Sequence, residues 1–91
     1  MLSINEQNKI INAILRVLNK ENAIIFSTCR DSAIEAYKEA CERLTIAGII
    51  YDTKYFSDCI TIKINKHRLS FLYLDDTTRK QKCFVFDEAK I

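Results

Sequence analysis

The chain has 91 residues, 48% of them apolar and 29% charged, and a formal net charge of +2. That length makes one domain, residues 1–91, with a narrow stability margin, and no apolar run approaches the ~20 residues of a membrane span. With no proline and one glycine, the composition argues against disorder and against a loop-rich fold.

The start, MLSINEQNK, has no basic stretch followed by an apolar run, so no signal peptide is expected. The expected compartment is the reducing cytoplasm. Cys29, Cys41, Cys59 and Cys83 are widely spaced, with no CxxC pair, and His67 is the sole histidine. Structural zinc needs close ligand pairs. The cysteines are therefore expected to be reduced, and neither a metal nor another cofactor is expected.

Ser3 with Glu6 three residues on is a capping box, so a helix should start near Ile4. Ile10, Ile11, Ile14, Leu15 and Leu18 mark one helical face, and Asn12, Arg16, Asn19 and Lys20 the other. The polar run Lys20-Glu21-Asn22 is the expected end. Ala23–Phe26 is a short, continuous apolar run that fits a strand covered on both faces. A polar loop, Ser27–Ser32, follows. Ser32 and Glu35 form a second capping box, and Ala33, Tyr37, Ala40, Cys41 and Leu44 share one helical face. Glu39 and Arg43 are an i,i+4 pair in the favoured order. Gly48 suits the left-handed position past the helix end.

Ile49-Ile50-Tyr51 begins an extended segment, and Asp52–Asp58 reads as a polar loop carrying Tyr55 and Phe56. Cys59–Asn65 and Leu69–Leu74 alternate, joined by polar Asn65-Lys66-His67-Arg68, and predict an antiparallel hairpin. Asp75–Gln81 reads as a second connector and Cys83–Phe86 as the last strand, ending in Asp87-Glu88. The expected fold is α/β (α+β), with two helices and a mixed sheet of three to five strands, in the order α-β-α-β-β-β.

Three places invite a functional reading. The loop before the second helix offers an anion site at a helix N-terminus, with Arg30 adding charge and Cys29 open to activation. It lacks the glycines that bring backbone close to phosphate, and a capped helix with a buried cysteine explains the same residues. The second place is basic. Residues 63–82 carry six Lys/Arg against two Asp/Glu. Lys63, Lys66, Arg68, Arg79, Lys80 and Lys82 are candidate nucleic-acid contacts, with a solvated polar face as the plainer reading. Tyr73 is placed either on a base or, with Leu69 and Phe71, on the core. Third, Tyr51, Tyr55 and Phe56 cluster as a candidate protein-binding surface, against simple packing on the sheet edge. His67 has no sequence-local acid or nucleophile, so no catalytic residue is expected.

The stretch NAIIFSTCRDSAIEAYKEACERL and the run FVFDEA together resemble parts of the ATPase core of phage terminase large subunits and related helicase-like ATPases. The resemblance covers about half the chain and lacks the Walker A loop before Ala23. It implies a reduced ATPase-like core, with Asp87 at the family's metal position and Glu88 at its water-polarising position.

Three functions follow, in order. The first is a non-catalytic protein-binding module, such as a phage or mobile-element inhibitor or accessory protein acting on a host or viral protein. The lysine-, isoleucine- and asparagine-rich composition fits an AT-rich phage genome. The second is nucleic-acid binding through residues 63–82. The third is a degenerate nucleotide or metal site at Asp87 and Glu88. No membrane partner is expected, and self-association through a sheet edge fits any of them.

Overall fold

A computed structural model describes residues 2–56, 59–75 and 87–90. Helix α1 spans Ile4–Leu18, strand β1 Ala23–Cys29, helix α2 Arg30–Ile46, β2 Asp52–Tyr55, β3 Cys59–Ile64, β4 His67–Asp75 and β5 Asp87–Lys90. The strands form one mixed sheet in the order β2-β3-β4-β1-β5. β1 runs parallel to β4, while β2–β3, β3–β4 and β1–β5 are antiparallel. The expected element order holds through β4, and β5 completes the sheet. The expected last strand, Cys83–Phe86, lies outside the described residues.

The first capping box forms as the sequence predicts. The Glu6 N–H donates to Ser3 Oγ at 3.2 Å, and the Ser3 N–H donates to Glu6 Oε1 at 2.8 Å. Both helices end alike. At α2, the Ile49 N–H donates to Leu44 O and the Gly48 N–H to Thr45 O, with Gly48 at φ +73°. At α1, the Glu21 N–H donates to Arg16 O and the Lys20 N–H to Val17 O, but Lys20 holds φ +65°. A β-carbon in that region costs about 1–2 kcal/mol, part of which glycine returns as unfolded-chain entropy. Lys20→Gly should therefore stabilise the protein by about 0.5–1 kcal/mol. A thermal melt with an unchanged or lowered midpoint would contradict this.

Four expectations about local structure change. α2 starts at Arg30 directly after β1, so no separate loop spans Ser27–Ser32. Ser32 lies buried in the first turn of α2 and is not its N-cap. The α1 core face is Ile10, Ala13, Ile14 and Val17, while Leu15 and Leu18 face outward at 56% and 42% exposure. Several apolar rows share α1, and contact with both the sheet and α2 selects the one turned inward. β2 occupies part of the expected polar loop. Here the period-2 pattern Tyr51-Asp52-Thr53-Lys54-Tyr55 outweighs the loop's polarity once β3 offers pairing partners.

α1 and α2 touch each other and the same strands, β1 and β4, so both cover one face of the sheet. That inner face is built from Ala23, Ile25, Ile60, Ile62, Ile64, Leu69 and Phe71, all buried. The buried alanines Ala33, Ala36 and Ala40 line α2 where it approaches the sheet. Arg43 pairs with Glu39 at 2.8 Å and donates to Gln7 Oε1 at 3.1 Å, tying α2 to α1. β1 is not covered on both faces as its apolar run predicts. Ile24 is half-buried and Phe26 is 37% exposed. The outer face of the sheet has no helix over it among the described residues.

Candidate functional site

The features that bear on function meet at the β2 edge and on the outer face beside it. Among the described residues, β2 has a neighbour on one side only, β3, and all four of its residues are exposed. The Phe56 N–H donates to Cys59 O at 2.8 Å. Antiparallel pairing alternates from there. The backbone groups of Lys54 and Asp52 turn to β3, and those of Thr53 and Tyr55 face the free edge. Tyr55 and Phe56 close this strand, 68% and 54% exposed.

Strand parity places Asp52, Lys54 and Phe56 on the outer face and Thr53 and Tyr55 on the helix side. Tyr55 is held there by Tyr37 of α2, with ring centroids 5.6 Å apart and an edge-on angle of 68°. Tyr37 in turn meets the ring of Phe71 edge-on at 6.0 Å. Burial, and then the neighbouring Tyr55 hydroxyl, push the Tyr37 phenol well above the ordinary tyrosine range. A chain of three rings thus fixes β2 to the core.

On the outer face, register builds rows across the sheet. Asp52, Lys63 and Arg68 stand opposite one another on β2, β3 and β4. Lys54, Thr61, Ser70 and Ile24 form the next row, and Cys59, Leu72 and Phe26 the one after it. The face therefore grades from charged to apolar. A shallow groove of about 520 Å³ lies over its β2–β3 side, lined chiefly by Asp52, Lys54, Phe56, Thr61, Lys63 and Arg68. The Arg68 backbone N–H donates to Asn22 Oδ1 at 2.9 Å, which fixes the first turn of β4 without using the guanidinium.

Each candidate residue can now be placed. Tyr55 and Phe56 come together beside the free edge. Tyr51 does not join them, because it is half-buried on the core with its hydroxyl 3.4 Å from Thr45 Oγ1. Lys63 and Arg68 face each other across the β3–β4 pair, and Lys66 sits in the Asn65-Lys66 turn. Arg79, Lys80 and Lys82 lie outside the described residues. Tyr73 packs against the core. Asp87 and Glu88 open β5, opposite Phe26 and Ile25, on a strand antiparallel to β1. Asp52, Lys54 and Thr61 also line the groove and are not among the sequence candidates; for Asp52 and Lys54 the signal is the same alternation that marks β2.

Among the described residues, no group of three or more His, Cys, Asp or Glu is placed to hold a metal ion. Cys41 and Cys59 are free thiols. No described helix is long and apolar enough to cross a membrane. The described residues form a two-layer α+β fold whose sheet is helix-covered on one face and open at the β2 edge. Comparison with known protein families, curated proteins and solved structures finds no match.

Proposed function

We propose that this protein is a non-catalytic binding module that takes an extended segment of another protein as an added strand beside β2. One observation carries the reading: an edge strand with no second neighbour among the described residues has two outward-facing backbone positions and carries the exposed aromatic rings of Tyr55 and, just past its end, Phe56. Added strands gain main-chain hydrogen bonds along the edge and specificity from alternate side chains. Aromatic residues dominate binding energy at such surfaces. The three-ring chain from Phe71 to Tyr55 supports the reading further, because a strand held in place loses less entropy on binding. The expected setting is the cytoplasm, and the expected target is a host or viral protein bound by a phage or mobile-element accessory factor or inhibitor.

Immobilised protein should retain a specific partner from a bacterial host lysate. Thr53→Pro removes one edge donor while leaving the backbone groups of Asp52 and Lys54 on β3, and it should reduce retention at least about tenfold. Tyr55→Ala with Phe56→Ala should do the same. In the complex, the Thr53 and Tyr55 amides should gain protection from hydrogen exchange. Retention indifferent to all these changes, or no specific partner at all, rejects the proposal. The same edge offers a second copy a pairing surface. Sedimentation of the isolated protein as a dimer that Thr53→Pro dissolves would assign the edge to self-association instead.

A further inference from the structure

We infer that the segment added to β2 is acidic on one face, and that the outer groove reads its carboxylates. This rests on the strand-addition reading and specifies the partner's chemistry. Lys63 and Arg68 are directly opposed across β3 and β4, and Asp52, opposite Lys63 on β2, offsets only one of the two like charges, which leaves the row net positive. Lys54 stands one row away on the edge strand itself. Asp52 is the one carboxylate lining the groove, against three cations. Strands lie about 4.8 Å apart, so a strand laid beyond β2 is one spacing from Lys54 and two from Lys63, which meet its outer-face carboxylates, while Arg68, a spacing further on β4, adds positive charge to the groove.

Period-2 geometry sets the motif. Backbone bonding to Thr53 and Tyr55 would place alternate residues of the added strand on the helix side, next to Tyr55, and the intervening ones on the outer side, next to Lys54. The favoured segment therefore alternates apolar and acidic residues. A nucleic-acid strand fits less well. Phe56 is the one aromatic ring lining the groove, whereas single-stranded nucleic acid is held by successive stacking platforms. Asp52 also interrupts the cationic row that a continuous phosphate backbone would follow. A peptide with carboxylates at every second residue can bypass it.

Fluorescence anisotropy at about 50 mM salt tests this with three labelled probes. They are a ten-residue peptide alternating valine and glutamate, its glutamine counterpart, and a ten-nucleotide oligothymidine. The glutamate peptide should bind about tenfold more tightly than the glutamine peptide, and the difference should shrink as salt rises. Lys54→Ala with Lys63→Ala, both at exposed positions, should remove most of the difference without lowering the thermal midpoint. Equal binding of the two peptides, or tighter binding of oligothymidine than of the glutamate peptide, overturns the inference. Thr53→Pro separates the two readings. If it weakens both peptides while they bind equally, strand addition stands and acid recognition falls. If it weakens neither, but the glutamate preference persists and needs Lys54 and Lys63, acid recognition stands and strand addition falls.

Discussion

Phe71→Ala is expected to cost about 3–5 kcal/mol. Phe71 is the largest fully buried side chain among the described residues. It lies on the inner face of β4, between Ile60 of β3 and Ile25 of β1, with the Tyr37 ring edge-on at 6.0 Å. Two strands and a helix therefore pack on one ring, and a cavity there has no neighbour free to fill it. A domain of this length has roughly 5–14 kcal/mol in total, so the variant should lose a large fraction of its stability. Its thermal midpoint should fall by about 15–30 °C. Phe71→Leu, which retains most of the volume, should cost less than half as much. Urea unfolding followed by circular dichroism checks both, and an unshifted midpoint for Phe71→Ala would rule out this packing.

Tyr37→Ala should combine a stability loss of about 2–4 kcal/mol with a specific loosening of β2. Tyr37 is the middle ring of the chain that joins Tyr55 to Phe71. Without it, β2 keeps its ladder to β3 but loses its tie to α2. Hydrogen exchange at the Lys54 and Phe56 amides should then accelerate more than at β4 amides. Tyr37→Phe keeps the rings and should leave β2 protected, at a cost of about 1 kcal/mol for the hydroxyl. The pair also separates a pH effect. The folded-state pKa of Tyr37 is raised, so the unfolded chain ionises first. Its contribution is fully present below about pH 10 and is lost as pH rises above that value. Tyr37→Phe should flatten that alkaline loss relative to the native protein. Equal alkaline slopes in urea midpoints between pH 9 and 11 would exclude the role assigned to the phenol.

Both variants bear on the proposed function as well as on stability. Under the proposed function the β2 edge is a ready surface only while the three rings hold it, so Tyr37→Ala should weaken both core packing and the proposed binding edge. Lys20 and Gly48 illustrate a different economy. The same helix-ending motif occurs twice, but only α2 has glycine at the left-handed position.

The sequence alone determined the elements whose signals are local. The Ser3–Glu6 capping box, the stop at Gly48, the Glu39–Arg43 pair and the period-2 hairpin around Asn65-Lys66 each involve residues a few positions apart. Their physics is therefore complete within a short window. Ile60, Ile62 and Ile64 against Lys63, and Leu69 and Phe71 against Ser70, were assigned to the correct faces for the same reason. Tertiary structure decided what depends on distant neighbours. Leu15 and Leu18 read as core by periodicity, yet packing of α1 against both the sheet and α2 turned Ala13 and Val17 inward instead. The apolar run Ala23–Phe26 reads as doubly covered, yet both helices chose one side. Asp52–Tyr55 became a strand because β3 lay beside it, and that pairing created the free edge. Lys54, Lys63 and Arg68 come from three strands, and only the β2–β3–β4 register brings them to one groove. An edge and an open face are properties of a sheet and of no one segment, which is why they were settled only when the chain folded.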